Sequence, residues 1–135
     1  KNIYDALRGG MGFQEPAWLR ERIVEIDDPA ATIAESALNK TSAICIRAME
    51  LFVAAYAAEA GNLALKALST GGLYIGGGIA PKLLPLFEQP AFMTAFLNKG
   101  RFSELLAKMP VKVILEPKTA LRGAAVYLVA NAAVF

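Results

Sequence analysis

Histidine is absent from the chain, and cysteine occurs once, as Cys45. The commonest general base and the commonest metal ligand are therefore missing. With a single thiol, these 135 residues can build neither an internal disulfide, nor a zinc site, nor a Cys–His nucleophile. Cys45 is expected as a small buried apolar residue, and thiol poverty fits a reducing, cytoplasmic setting. Charge is also scarce, at 19% against 56% hydrophobic residues. That balance excludes a disordered tail and leaves more apolar surface than one short domain covers by itself. The 14 basic residues are scattered and the net charge is +2. No basic stripe forms a nucleic-acid footprint, so no nucleic-acid partner is expected. A long unbroken hydrophobic run is lacking too. The most apolar stretch, residues 43–68, is interrupted by Arg47, Glu50, Glu59 and Lys66. Each charge is costly in lipid, so a membrane span is not expected.

What remains is helical grammar followed by a short α/β passage. Lys1-Asn2-Ile3-Tyr4-Asp5-Ala6-Leu7 already reads as helix, with Ile3 and Leu7 on one face. A chain that opens inside a helical pattern, without a leader, is expected to be part of a longer one. Gly9-Gly10 closes that helix. Residues 11–31 read as irregular, with Pro16 opening a helix through Ile26 and Asp27-Asp28-Pro29 turning into a new one. Thr32, three residues ahead of Glu35, has the spacing of a capping box. Lys40-Thr41-Ser42 starts the dominant helix, running to Leu68. Its inward stripe is expected at Ile44, Ala48, Leu51, Ala55, Ala58 and Leu65, with alanines permitting close approach and Gly61 kept for tight packing.

After Leu68 the pattern changes. Leu73-Tyr74-Ile75 is β-prone and runs directly into Gly76-Gly77-Gly78. A helix restarts over residues 79–84, with Pro81 in its first turn. Helices follow over residues 91–97 and 102–108, a second strand over 111–115, and a final alanine-rich helix over 119–133. Strand, helices, strand and helix form a parallel crossover unit, expected to be right-handed. Two strands make a poor sheet, so further strands are expected from elsewhere. The acidic residues fall mainly on expected helix surfaces, as solvated charges, and no carboxylate pair sits at a strand end to act as a base. The one chemically suggestive feature is the triple glycine between strand and helix. At the carboxyl end of a strand in an open α/β sheet, glycines let backbone approach an anion or a flat ring. The spacing is neither a Walker loop nor a dinucleotide fingerprint. A nucleotide contact and a plain tight turn both remain open.

Gly61-Asn62-Leu63-Ala64-Leu65, Gly71-Gly72-Leu73-Tyr74-Ile75-Gly76-Gly77-Gly78-Ile79-Ala80-Pro81, Lys99-Gly100-Arg101-Phe102 and Pro110-Val111 follow in that order. With Pro117, Leu121 and Gly123-Ala124, and more weakly Thr32-Ile33-Ala34-Glu35, they resemble the C-terminal portion of bacterial glucokinases. One departure is Glu116, where the family pattern has asparagine or aspartate. The resemblance implies the larger lobe of an actin-like ATPase (ribonuclease H-like) fold, α/β and helix-rich, lacking its first strands. It implies a helical part over residues 1–69 and a nucleotide-side unit over 70–135. It also implies an ATP- and magnesium-dependent kinase acting on glucose in the cytoplasm, a homo-oligomer whose N-terminal portion supplies the base and the sugar contacts. Gly76, Gly77, Gly78 and Ile79 would line the adenosine side, and Lys82 would stand nearby as a solvated helix lysine. No catalytic or metal-binding residue is assigned to this chain. The alternatives are a non-catalytic helical interaction or regulatory domain whose glycines merely turn the chain, and a related kinase for another hexose.

Overall fold

The longest helix organises the chain. The computed structural model describes residues 1–10 and 12–131. In it α1 (Asn2–Gly10), α2 (Ala17–Glu25) and α3 (Pro29–Leu38) precede α4 (Ala43–Lys66). Then come β1 (Leu73–Ile75), α5 (Ile79–Lys82), α6 (Leu84–Phe87), α7 (Pro90–Leu97), a 3₁₀ turn (Gly100–Phe102), α8 (Ser103–Leu106), β2 (Val111–Val113) and α9 (Thr119–Asn131). The chain is helix-rich α/β with a small sheet, β1 and β2 parallel, Leu73 opposite Val111 and Ile75 opposite Val113. Among the described residues the sheet has these two strands alone.

Two apolar clusters share α4. Its first half joins Tyr4, Leu7, Leu19, Ile33 and Ala37 through Ile44, Cys45, Ala48 and Met49. Its second half meets Ile75, Phe87, Phe92, Phe96 and Leu106 through Val53, Ala57, Ala60 and Ala64. Cys45 is fully buried, as its small apolar character predicts. Gly61 is where α4 and α7 come closest: a Cβ there would lie 2.6 Å from the Phe96 carbonyl oxygen. An aromatic chain runs across the same seam, Phe52, Tyr56, Phe87 and Phe92, with successive ring centroids 5.9, 5.2 and 5.1 Å apart.

Several expectations need correction. The inward stripe of α4 is rotated: Ala55 is exposed, Leu51, Ala58 and Leu65 are half-buried, and Val53, Ala57, Ala60 and Ala64 carry the contact instead. The alanine-rich sequence has small residues on every side, so composition does not fix the phase. Thr32 caps nothing; it is buried inside α3. The cap is Asp28, whose Oδ1 accepts from the N–H groups of Ala30 and Ala31 at 3.1 Å each. α4 ends two residues before Leu68, because Leu68 turns left-handed at φ 47°. The N–H of Leu68 then reaches Leu65 O and that of Ser69 reaches Ala64 O, a Schellman closure. Lys40 closes α3 the same way at φ 55°. The helix expected over 79–84 breaks at Leu83, since Pro85 has no N–H to offer the Pro81 carbonyl. The 102–108 helix begins as a 3₁₀ turn and stops at Leu106. β2 stops at Val113, although Ile114 N–H still reaches Ile75 O at 2.9 Å. Glu116 then makes the turn into α9, its carboxylate accepting from Lys118 N–H at 2.9 Å and pairing with Arg122 at 3.2 Å. The expected extension of α9 to Ala133, like Met11, lies outside the described residues.

α9 buries none of its residues, and Leu121, Val126, Tyr127, Leu128 and Val129 are largely exposed. Among the described residues no single helix is long and apolar enough to cross a membrane; α3 and α4 meet the length and composition together only as a pair bent by 100°. The bare helix and the open strand edges predict self-association of the isolated chain. Light scattering should report masses above the 14.4 kDa of one chain at high micromolar concentration; a monodisperse monomer would contradict this. Gly61→Ala should lose about 1–3 kcal/mol in a urea melt, because the Phe96 carbonyl is backbone and yields little.

Candidate functional site

The three glycines after β1 do different things. Gly76 continues from the strand, and a Cβ there would touch Ile114 Cδ1 at an ordinary 3.6 Å. Gly77 has φ +100°, a backbone that side-chain-bearing residues rarely adopt, in open space. Gly78 has φ −85° and open space around it, and leads into α5. The constraint at Gly77 is therefore torsional rather than a matter of bulk, and Gly78 is free of either.

Gly78 opens onto a cleft of about 430 Å³. Ile3 and Tyr4 of α1 line it together with Lys1, as do Asp28 and the first turns of α3, Ala48, Met49 and Phe52 of α4, and Ile79, Lys82 and Leu83 beyond the glycines. The volume is in the range of small-ligand sites, about 300–1,000 Å³. Its lining is mainly apolar, and its charged groups, Lys1, Asp28 and Lys82, are exposed. Of the four residues singled out from sequence, the structure puts Gly78 and Ile79 on the wall, while Gly76 and Gly77 do not line the cleft. Lys82 is an exposed helix residue and also lines the cleft. A second groove, about 290 Å³ between the sheet and α6–α7, is lined by apolar side chains and Glu88.

Behind the α1 wall lies a cluster that the sequence did not reveal. The Glu15 side chain is only 2% exposed. It accepts from Tyr4 Oη at 2.8 Å, Arg20 Nε at 2.7 Å and Arg8 Nη1 at 3.4 Å. Glu15 is thus not a solvated surface charge. The only signal in sequence was an arginine on either side at distances no helical rule connects. Burial by itself raises its pKa, but hydrogen bonds from Arg20 and Tyr4 and the charges of Arg8 and Arg20 outweigh it and hold the carboxyl below its ordinary value. Burial, then the neighbouring carboxylate, push the Tyr4 hydroxyl well above its usual range, so Tyr4 stays a donor. Burial likewise raises the Cys45 thiol, which leaves it inert. The cleft is mainly apolar with a polar rim, and its carboxylate, Asp28, is engaged in capping α3.

Fold and cleft together define a helix-rich α/β unit with a small-ligand cleft under a glycine loop. A family model described as Glucokinase matches residues 1–131, and the chain belongs to that family. It is 51% identical to a glucokinase of Synechocystis sp. over 92% of this chain, and 52% identical to one of Nostoc punctiforme over 73%. A glucokinase of Photorhabdus laumondii is 40% identical over 86% of the chain. The chain spans only 38%, 29% and 36% of the lengths of those three relatives.

The Glu15 cluster predicts an acid-sensitive stability. With the folded pKa depressed, the contribution is complete above the ordinary value of 4.5 and drains away as pH falls through the folded pKa, because the unfolded chain takes up the proton first. Glu15→Gln should be less stable than the parent at neutral pH, and urea melts at successively lower pH should show the gap closing. A gap that stays constant into strong acid would contradict the assignment.

Proposed function

We propose that this chain forms the nucleotide-side segment of a kinase that transfers the γ-phosphoryl group of ATP to the 6-hydroxyl of glucose. The observation that carries the reading is the family match over residues 1–131 joined to a cleft that opens beside the family-like glycine loop. Adenosine occupies that cleft, its ring against the apolar walls from α1, α3 and α4, with Gly78 and Ile79 over it and Gly76 and Gly77 setting the approach. Lys82 stands at the rim within reach of a polar edge. Glucose, rather than another hexose, is supported by the shared name of the three relatives above.

Phosphoryl transfer depends on positioning and on neutralising charge. In this reading the chain contributes positioning, and the base and the sugar contacts come from the preceding part of the polypeptide. The family likeness also implies magnesium. Among the described residues no three His, Cys, Asp or Glu side chains come together to hold a metal ion, so in this reading magnesium is held by the phosphates and by the preceding part of the polypeptide. The parallel pair β1–β2 belongs, in this reading, to a larger sheet of an actin-like lobe, and the rest of the polypeptide covers α9. Residues 1–69 and 70–135 act as one unit, since the cleft draws walls from both. The whole enzyme is read as a cytoplasmic homo-oligomer.

The purified 135-residue chain should not phosphorylate glucose. Turnover above a mock preparation in a coupled assay would sink the segment reading. In the full-length kinase, Gly77→Val should weaken ATP binding about tenfold or more, or about 1.4 kcal/mol, while glucose affinity changes far less. Gly78→Val, at a permitted φ and in open space, should weaken ATP binding without lowering the melting temperature. Calorimetric titration of each ligand reads both. Unchanged ATP affinity in the folded variants would reduce the glycines to a turn.

A further inference from the structure

Three hydrogen-bond donors from two helices converge on one carboxylate next to the cleft. Tyr4 and Arg8 come from α1 and Arg20 from α2, while Glu15 sits in the irregular stretch between those helices. Few other contacts hold this hairpin. α2 buries one residue, Leu19, and its Pro16 cap makes no side-chain hydrogen bond. The Arg22–Glu35 pair that links α2 to α3 is about half exposed, so it contributes little. A carboxylate removed from water is tolerated only when its oxygens are satisfied, and here both are. Tyr4 and Arg8 share Oε1 while Arg20 takes Oε2, so the carboxylate fixes the three side chains relative to one another.

Tyr4 connects that geometry to the ligand site. It is 1% exposed, its hydroxyl is committed to Glu15, and it lines the cleft together with Ile3, Met49 and Phe52. We propose that Glu15 is a positioning residue for nucleotide binding, setting the α1 wall of the cleft through the Tyr4 hydroxyl. This rests on the assignment of the cleft to adenosine. Glu15 touches neither the ligand nor the reacting atoms. It limits how far the Tyr4 ring and the first turn of α1 can retreat, and so keeps the cleft at the width of a flat ring rather than letting it open or collapse. Preorganisation of this kind acts on affinity, because the ordering is already in place before the ligand arrives.

The test separates positioning from plain support of the fold. In the full-length kinase, Tyr4→Phe removes one hydroxyl and keeps the ring. It should raise the KM for ATP about fivefold, with kcat and the KM for glucose within about twofold and the melting temperature nearly unchanged. Glu15→Ala should raise the KM for ATP at least as much and also lower the melting temperature. An ATP KM within about twofold of the parent in Tyr4→Phe overturns the proposal and leaves Glu15 as support for the hairpin, whatever Glu15→Ala does to stability. Ala31→Trp, which fills the cleft from α3, tests the assignment underneath. If Ala31→Trp raises the ATP KM and Tyr4→Phe does not, only the positioning role falls. If Ala31→Trp leaves the ATP KM unchanged, the cleft is not the nucleotide's and both assignments fall.

Discussion

The approach of α4 to α7 at Gly61 is the constraint on which the remaining architecture depends. A Cβ at 2.6 Å from a backbone oxygen is not accommodated by any rotamer, so only glycine lets the two helices sit this close. Ala57, Ala60 and Ala64 extend the same small-residue face, all buried to within 6% exposure. Because the backbones meet so closely, Phe96 and Phe92 of α7 reach across to β1 and to Leu106, and the strands gain a floor to lie on. The first half of α4 packs against α1 and α3 through Ile44, Cys45, Ala48 and Met49. One helix thus serves two clusters, with the cleft of about 430 Å³ beside its first half and the groove of about 290 Å³ near the strands beside its second.

Much of this was legible in the sequence, and the misses have physical causes. Both strands, the glycine loop, the length of α4, the packing role of Gly61 and the burial of Cys45 follow from local patterns of two to five residues. The phase of α4 did not follow, because a helix with alanine on every face has no distinct stripe until its partners are known. The Thr32–Glu35 spacing looked like a cap, but Asp28 beside Pro29 had the stronger claim, with a shorter side chain and a proline already suited to the first turn. Glu15 was the largest omission. Its partners lie eleven and seven residues before it and five after, on two helices whose relative placement no periodicity encodes. A buried ion cluster is a tertiary object, invisible until the hairpin is closed.

The candidate site was half visible for a similar reason. A run of three glycines says that backbone freedom or close approach is wanted, but not which residue wants it. Here one packs against Ile114, one supplies a positive φ, and one fronts the cleft. The opposite wall comes from α1 and α3, more than forty residues earlier in the chain. Those segments carry no motif of their own, because an apolar wall is made of the same alanine and isoleucine that fill any core. What distinguishes Ile3, Ala31 and Ile33 is that they line a space the described residues leave open.

The charge around the cleft argues for which part of a nucleotide it suits. Its interior offers aliphatic and aromatic carbon, and its one buried hydroxyl, on Tyr4, is already given to Glu15. A triphosphate placed there would lose its hydration with no donors in exchange, a cost of many kcal/mol for each charge. The exposed rim carries Lys1 and Lys82 against Asp28, and Asp28 Oδ1 is occupied by two backbone N–H groups of α3. Lys1 is partly spoken for as well, through Asp5 at 2.6 Å. In the proposed reading the base and its sugar take this apolar space, and the phosphates lie outward from it. The chain's part in the chemistry, in that reading, is to hold one end of the nucleotide still while the other end reacts.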